Sequence, residues 1–212
     1  MYNVHKLPYD GHGLKWRPSL EPEYSDDADM TPLYVTQLPR PADFSVCNQR
    51  AFIREFGKVK HYANAVLEIG VDRPHSTFDN SSTYRFFTEK LDHTKYIGID
   101  IEDKSELDDT SKNIFTLKTD SANVKHVMNF CNSLGVKEFD FIFIDGWHSV
   151  NQVMYEWEYT TYLRKGGCVA FHDTYVHPGP YCVFDAISEE TFDKIEECGC
   201  STDWGISFAW KK

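Results

Sequence analysis

Two carboxylates and two histidines follow neighbouring apolar runs within residues 139–175. Asp145 ends the run FDFIFI, and His148 comes three residues later. Asp173 follows the run CVAFH, whose last residue is His172. Parallel strands of an open α/β sheet carry the residues that follow them to the same carboxyl edge, where ligands bind. We therefore expect these four side chains to converge on a metal-assisted or acid/base site.

Each of these residue types suits a different part of such a site. Carboxylates such as Asp145 and Asp173 hold Mg²⁺ together with waters and substrate oxygens, and a cation held there activates a substrate hydroxyl. Histidine is the side chain best suited to act as a general base near neutral pH, which makes His148 the candidate base. His172 is either a third metal ligand or a group that orients Asp173. His177, on the following Pro/Gly loop, either lines the pocket or lies on the surface.

Polar residues also end two earlier apolar runs. The run AVLEIG contains Glu68 and ends at Gly70, and the run KYIGID ends at Asp100. An acid after the second strand of a doubly wound sheet is placed to accept hydrogen bonds from ribose hydroxyls, and the alternative is an ordinary solvated acid. Glu68 lies inside an apolar strand end and needs a partner, which is either a positively charged ligand group or a neighbouring loop.

Two further polar groups have a binding interpretation and a structural one. Ser82 begins a predicted helix with Ser81 and Thr83, and these hydroxyls either donate to a cofactor carboxylate or cap the helix. Asp120 and Ser121 follow the third strand and either bind an adenine amino group or cap the next helix, which is the favoured interpretation. No G-x-G-x-x-G motif is present, so NAD and FAD are not expected, whereas a nucleoside cofactor without a pyrophosphate is compatible.

Alternating strands and helices must position these residues. The sequence predicts strands over 65–70, 95–100, 114–118, 139–145, 167–172, 192–197 and 205–211. It predicts helices over 45–56, 82–91, 121–134 and 181–188, and one that starts at Ser149 and buries Val150, Val153, Met154, Trp157 and Thr161. We therefore expect an α/β fold, a Rossmann-like doubly wound and mostly parallel seven-stranded sheet with an antiparallel last strand.

The chain divides by composition into an arm over residues 1–44 and one domain over residues 45–212. The arm is rich in proline and aromatic residues. Its proline density opposes a regular helix or a central strand, and its aromatic content opposes disorder. The arm is expected to pack over the domain, over the active-site edge, or onto a second subunit in a homo-oligomer.

Charge and hydropathy limit the partners. The net charge of −11 opposes binding to a nucleic acid backbone, because no basic surplus exists to displace counterions. A small-molecule substrate or a cationic cofactor fits better. No apolar run is long enough to span a bilayer and no signal peptide is recognisable, so no membrane contact and a cytoplasmic location are expected. The six cysteines are expected to be reduced, and the C-x-C pair Cys198 and Cys200 does not have the spacing of a zinc site.

The order of these motifs resembles that of class I S-adenosylmethionine-dependent methyltransferases. LEIG, GID, TDS, FIDGWH, GGCVAFHDT and GISFAW follow one another as in that fold, over roughly residues 45–212. The combination of IDGWHS with the downstream HDT is most similar to the small-molecule O-methyltransferase branch, which includes enzymes that methylate macrolide and aminocoumarin sugars. The resemblance implies S-adenosylmethionine as cofactor and the hydroxyl of a small molecule, such as a sugar, as methyl acceptor.

The resemblance also implies roles for individual residues. In metal-dependent members the aspartate of D-G-x-H binds Mg²⁺ and its histidine is the base, which implies Asp145 as ligand and His148 as base. The acidic pair that these members carry after strand five corresponds to His172 and Asp173, so His172 is a departure. The resemblance also implies the contacts of the cofactor. Glu68 and Gly70 line its methionine end, Asp100 contacts its ribose, and Asp120 and Ser121 contact its adenine.

Two rival functions are weighed against this one. The first is a noncatalytic binding or assembly module of the same fold, which the short glycine motif and the long arm favour. The second is a metal-independent methyltransferase, in which both aspartates only position the substrate. Cofactor binding separates the first rival from the enzyme, and sensitivity to a chelator separates the second.

Overall fold

The computed structural model describes residues 4–20, 45–72, 78–197 and 204–212. The strands are β1 (Val4–Leu7), β2 (Arg17–Leu20), β3 (Ala65–Ile69), β4 (Lys95–Asp100), β5 (Ile114–Lys118), β6 (Phe139–Ile144), β7 (Leu163–His172), β8 (Phe192–Glu197) and β9 (Ile206–Lys211). The helices are α1 (Val46–Gly57), α2 (Ser82–Glu89), α3 (Val124–Ser133), α4 (Val150–Trp157) and α5 (Pro178–Ala186). None of the helices in these ranges is long and apolar enough to cross a membrane.

The main sheet has seven strands in the order β5-β4-β3-β6-β7-β9-β8. The strands from β5 to β7 are parallel, and β9 runs antiparallel to both of its neighbours, β7 and β8. The predicted fold class is therefore confirmed. The strand order reverses between β3 and β6, because the chain moves outward through β4 and β5 and then returns to the other side of β3. In open α/β sheets, ligands bind beyond the carboxyl ends of the strands at this reversal.

Helices cover both faces of the sheet, and each face has its own apolar core. On one face, α1 and α2 bury an aromatic cluster against β3, β4 and β6. Phe52 lies at its centre, with ring centroids 4.9 Å from Phe86, 5.6 Å from Phe141 and 5.7 Å from Phe143. On the other face, α3, α4 and α5 pack on the alternate residues of the same strands. Burial on both faces explains why the central strands are continuous apolar runs.

The described part of the arm, residues 4–20, packs over the domain. β1 and β2 form an antiparallel hairpin, and the loop between them lies against α4 and α5. Lys15 N–H donates to the Ala186 carbonyl at 2.8 Å, and the Trp157 indole N–H donates to the His12 carbonyl at 2.7 Å. Residues 21–44, residues 73–77 of the loop after β3, and the pair Cys198 and Cys200 lie outside the described residues. The four cysteines within them carry free thiols, as predicted.

Several predicted boundaries were wrong. β7 begins at Leu163 rather than at residue 167, because it starts with a bulge: Phe139 pairs with Leu163, but Phe141 pairs with Cys168. The expected burial of Thr161 on α4 is also wrong, since the helix ends at Trp157 and continues as a 3₁₀ turn that leaves Thr161 exposed. α5 begins at Pro178, three residues before the predicted start at residue 181. Proline is favoured there because the first turn of a helix does not need its missing N–H.

Gly70 brings the ends of β3 and β6 together at the reversal of strand order. Its N–H donates to the Ile99 carbonyl, and the Asp145 N–H donates to the Ile69 carbonyl, each at 2.9 Å. Gly70 has a φ of +84°, and a Cβ atom there would lie 2.1 Å from the Asp145 carbonyl oxygen. Only glycine lets the chain leave β3 this close to the residue that ends β6.

We expect Gly70→Ala to destabilise the fold more than Gly166→Ala, measured as the free energy of unfolding in urea. Gly166 has a similar φ of +76°, but a Cβ atom there would meet nothing within 4 Å. The control should therefore lose only the conformational term of about 1–2 kcal/mol. Gly70→Ala must in addition displace a backbone carbonyl. Equal losses in the two variants would show that the close approach to Asp145 is not a constraint.

Candidate functional site

The carboxyl ends of five parallel strands carry the polar residues singled out by the sequence. Gly70 follows β3, Asp100 ends β4, Asp120 comes two residues after β5, and Asp145 follows β6. Asp173 follows β7. The structure therefore places the predicted site residues along one edge of the sheet. At the ends of β6 and β7, both His148 and His172 contact Asp145 and Asp173.

Asp145, His172 and Asp173 form a tight buried group. The His172 Nδ1 atom lies 3.2 Å from Asp145 Oδ1 and 3.1 Å from Asp173 Oδ1. One ligand-type atom from each residue falls within 4.8 Å of the others, and all three side chains are buried. Two carboxylates and one imidazole at this spacing have the donor types that hold a divalent cation.

His148 and His177 both face Oδ2, the second carboxylate oxygen of Asp173. Each histidine places its Nε2 atom 3.8 Å from Asp173 Oδ2, and His148 Nε2 is also 3.2 Å from Asp145 Oδ1. The two imidazole rings stack with their centroids 4.4 Å apart. His177 is therefore a buried member of this site rather than a surface residue. We call Asp145, His148, His172, Asp173 and His177 the His/Asp cluster.

The backbone at Asp173 supports a functional role for this cluster. Asp173 has a φ of +58°, in the left-handed region that residues with a Cβ atom rarely adopt. Its N–H donates to the Gly205 carbonyl at 2.8 Å, and its carbonyl accepts from His177 N–H at 3.1 Å. These contacts hold the residue in a conformation that costs energy, a situation that clusters at functional sites.

Asn48 is a member of the site that sequence analysis missed. It lies on α1, and its Nδ2 atom is 2.9 Å from His172 Nε2. The outer ring nitrogen of His172 therefore has a protein partner, while its Nδ1 atom faces Asp145 and Asp173. The Asn48 Oδ1 atom is buried and has no hydrogen-bond partner within the described residues. The sequence signal for Asn48 was its position one turn before Phe52, which places a polar residue on the buried face of the helix.

Glu68 is buried completely and acts within the fold. Its carboxyl group accepts hydrogen bonds from the hydroxyls of Ser82 and Tyr96. Burial raises its pKa to about 8, so the carboxyl is largely protonated near neutral pH. A neutral Glu68 is poorly suited to hold a positively charged ligand group. The structure instead gives Glu68 partners inside the protein, the hydroxyls on α2 and β4.

Asp100 fixes the turns that follow β3 and β4. Its Oδ2 atom accepts from Val71 N–H and its Oδ1 atom from Glu102 N–H, each at 2.8 Å. A carboxylate oxygen has two lone-pair directions, so both oxygens keep the capacity to accept from a ribose hydroxyl. Asp100 is half-buried at this edge of the sheet.

The expectation that Asp120 or Ser121 caps the following helix is wrong. Helix α3 begins later and is capped by Asn123, whose side chain accepts from His126 N–H at 3.3 Å. The Ser121 hydroxyl instead donates to Glu156 Oε1 at 2.6 Å. The structural interpretation does hold in helix α2, where the Ser81 hydroxyl accepts from Tyr84 N–H at 3.0 Å.

Glu156 is a second buried acid that sequence analysis missed. It lies on α4 beside Gly146, where an added Cβ atom would be 2.9 Å from Glu156 Oε1. Its Oε2 atom is buried and has no hydrogen-bond partner among the residues described. Burial raises the pKa of Glu156 to about 8. The sequence signal was weak, because Glu156 is not one of the apolar residues that define the buried side of α4.

Comparison with solved structures identifies methyltransferases of the same fold. The methyltransferase MycE of the mycinamycin biosynthetic pathway, in complex with Mg, S-adenosylhomocysteine and mycinamycin VI, has a TM-score of 0.56 and 18% identity over 76% of this chain. This chain covers 48% of MycE, about half of its length. An O-methyltransferase from Bacillus cereus in complex with S-adenosylhomocysteine has a TM-score of 0.56 and 15% identity, over 84% of this chain and 86% of its own.

A third similar structure is CalS11, a TDP-rhamnose 3′-O-methyltransferase of calicheamicin biosynthesis. It has a TM-score of 0.56 and 11% identity, over 83% of this chain and 89% of its own. No protein-family model matches the sequence, and no curated protein does. At these identities the comparisons establish the fold, which is the Rossmann-like fold of these methyltransferases.

We expect Glu156→Gln to reduce the pH dependence of stability between about pH 4.5 and 8. A carboxyl whose pKa is raised in the folded state stabilises the protein while protonated, and this contribution is lost as the pH rises through the folded pKa. The wild type should therefore lose stability with rising pH more steeply than Glu156→Gln, by a few kcal/mol over this window. The pKa of Glu68 is raised in the same way, so Glu68 should preserve part of the pH dependence of stability in the variant.

The measurement is the free energy of unfolding in urea at a series of pH values. Glu138→Gln, at an exposed position, is the matched control and should follow the wild type. Parallel curves for Glu156→Gln and the wild type would contradict the raised pKa.

Proposed function

We propose that this chain is an S-adenosylmethionine-dependent O-methyltransferase that acts on a hydroxyl of a small molecule, such as a sugar. The observation that carries the proposal is the His/Asp cluster at the carboxyl ends of β6 and β7, next to the reversal of strand order. The Asp145–His148 contact at 3.2 Å supplies a base whose positive charge, once it is protonated, is stabilised by a carboxylate. The fold shared with MycE, a methyltransferase of mycinamycin biosynthesis, and with CalS11, a TDP-rhamnose 3′-O-methyltransferase, supports the same reaction class.

The residues at the strand ends fit the parts of the cofactor. Gly70 allows close approach at the reversal of strand order, and the Asp100 carboxylate can accept from ribose hydroxyls. Asp120 and Ser121 remain proposed contacts of its adenine end. The Ser82 hydroxyl donates to Glu68, so Ser82 would contact the carboxylate end of the cofactor only through its backbone N–H. Bound there, S-adenosylmethionine supplies an electrophilic methyl group.

His148 would take the proton from the acceptor hydroxyl, which makes that oxygen the nucleophile toward the methyl group. The products are then a methyl ether and S-adenosylhomocysteine. The imidazolium of His148 is stabilised by Asp145 at 3.2 Å and by Asp173 at 3.8 Å. Burial of the cluster excludes water and strengthens these charge interactions.

Asp145, His172 and Asp173 are the residues that we propose to hold a divalent cation. Their ligand atoms lie within 4.8 Å of one another, so the donor set fits one ion. Such an ion supplies Lewis-acid activation of an acceptor hydroxyl. In the metal-independent alternative, Asp145 and Asp173 accept hydrogen bonds from the acceptor directly, and a chelator would leave turnover unchanged.

Two exposed aromatic side chains mark the proposed acceptor side. Trp147 lies between Asp145 and His148 in the chain and is 56% exposed, and Tyr175 follows Asp173 closely and is 45% exposed. Exposed aromatic rings beside a buried polar cluster offer a stacking surface to a ring-shaped acceptor. This arrangement favours a sugar or another cyclic hydroxyl compound.

We expect S-adenosylmethionine and S-adenosylhomocysteine to bind the purified chain with micromolar affinity in calorimetric titrations. Asp100→Ala should weaken both by at least tenfold, because two ribose hydrogen bonds are lost, whereas Asp103→Ala, an exposed acid in the next turn, should not. Titration with and without Mg²⁺ tests the cation. No binding of either compound would refute the methyltransferase and leave the noncatalytic module as the better interpretation.

We expect His148→Ala to lower turnover by about 10²–10⁴-fold while cofactor affinity stays within a few-fold, because a general base acts only in the chemical step. His126→Ala, an exposed histidine on α3, is the control. The measurement is methyl transfer to a panel of sugars and other cyclic alcohols, followed by mass spectrometry. Full activity in His148→Ala would remove this residue from the mechanism.

A further inference from the structure

The two carboxylate oxygens of Asp173 face two different sets of ligand-type atoms. Oδ1 lies 3.1 Å from His172 Nδ1, in the set that includes Asp145. Oδ2 lies 3.8 Å from the Nε2 atoms of both His148 and His177. The ligand-type atoms of His148, Asp173 and His177 all fall within 4.8 Å of one another, and all three side chains are buried.

The spacing of this second set suits a shared cation better than direct hydrogen bonds. At 3.8 Å, an imidazole nitrogen and a carboxylate oxygen are beyond hydrogen-bond distance. Bonds of about 2.0–2.2 Å from zinc to nitrogen and oxygen ligands put two ligands of a tetrahedral site roughly 3.4 Å apart. Shifts of a few tenths of an ångström would therefore bring Asp173 and either histidine into coordination.

The fold already holds the two histidines side by side. His177 is the N-cap residue of α5, and its N–H donates to the Asp173 carbonyl at 3.1 Å. Its ring stacks on that of His148 and meets the edge of Trp204 at a centroid distance of 5.5 Å. A site whose ligands are fixed in advance binds a metal with less loss of side-chain entropy.

The donor types point to a first-row transition metal. Two imidazoles and one carboxylate form a set that suits Zn²⁺, Co²⁺ or Fe²⁺, whereas Mg²⁺ prefers oxygen ligands. We propose that His148, Asp173 and His177 form a binding site for Zn²⁺, separate from the Asp145/His172/Asp173 set and joined to it through Asp173. An open fourth position on the ion would be filled by water.

This site has a consequence for catalysis, which rests on the proposed function. When Nε2 of a neutral His148 coordinates Zn²⁺, the ring proton lies on Nδ1, so neither ring nitrogen has a lone pair left to accept a proton. Zn²⁺ at this site therefore inhibits methyl transfer by removing the base, whereas a cation held by Asp145 and His172 leaves His148 available.

The test is Zn²⁺ titration by calorimetry, and Co²⁺ titration by visible absorption, on the full chain after removal of metals with a chelator. Both use a Cys198→Ser/Cys200→Ser background, so that the C-x-C thiols do not bind the probe ions. We expect one site that persists in excess Mg²⁺, with a Co²⁺ spectrum typical of low coordination number and without a thiolate charge-transfer band.

Two histidine variants assign the ligands. His177→Ala should weaken Zn²⁺ binding by at least about tenfold. Removing a group that only hydrogen-bonds to a metal ligand already lowers metal affinity by this much, and loss of a direct ligand should lower it no less. His172→Ala should retain the site. His177→Gln, which keeps the volume, replaces His177→Ala if circular dichroism shows that the alanine variant is unfolded. Nuclear magnetic resonance of the histidine ring nitrogens in the parent protein supplies an assignment that needs no ligand variant.

The outcomes separate this proposal from the proposed function. Zn²⁺-dependent shifts of the His148 and His177 ring nitrogens, with His172 unaffected, support the site even if no methyl acceptor is found. Zn²⁺ binding that is unchanged in His177→Ala, or that is lost in His172→Ala alone, overturns it. A thiolate band in the Co²⁺ spectrum overturns it as well. If turnover is found, Zn²⁺ should inhibit the parent and lose potency against His177→Gln.

Discussion

The close approach of the backbone at Gly70 to the Asp145 carbonyl is the constraint on which the site depends. It occurs where the strand order reverses, so that the chain leaves β3 in one direction and β6 in the other. A Cβ atom at Gly70 would lie 2.1 Å from that carbonyl oxygen. Because β3 and β6 are held this closely, the carboxylates and histidines that follow β6 and β7 share one buried edge with the residues of β3 and β4.

The buried acids of this protein are stabilised in two different ways. Glu68 and Glu156 have pKa values raised to about 8 by burial, and hydroxyl groups donate to them. They are therefore largely neutral near pH 7 and serve as hydrogen-bonded packing groups. Asp145 and Asp173 instead lie within 3.2 Å of histidine nitrogens. Their surroundings offer partners that carry or share positive charge, which is what an acid/base or metal site requires.

The imidazole of His172, which lies between two carboxylates, affects the chemistry that the edge can support. A pair of acids would give an oxygen-only set for Mg²⁺, whereas the His/Asp cluster combines three imidazoles with two carboxylates. Asn48 contributes to this change from α1, since its amide contacts the outer nitrogen of His172. The cluster thus offers two neighbouring sets of metal ligands that share Asp173. The proposed base, His148, belongs to only one of these sets.

The sequence by itself determined the fold class, most strands and the edge at which the site lies, because apolar runs that end in polar residues are local patterns. It also placed Asp145, His148, His172 and Asp173 together, since parallel strands carry their ends to one edge. Only the tertiary structure decided what each polar group contacts. Asn48 and Glu156 come from helices and His177 from the N-cap of one, and which side of a helix meets the sheet edge depends on packing. Likewise, Ser121 was expected to cap α3 but donates to Glu156, a residue distant in sequence, and the helix begins later with Asn123 as its cap.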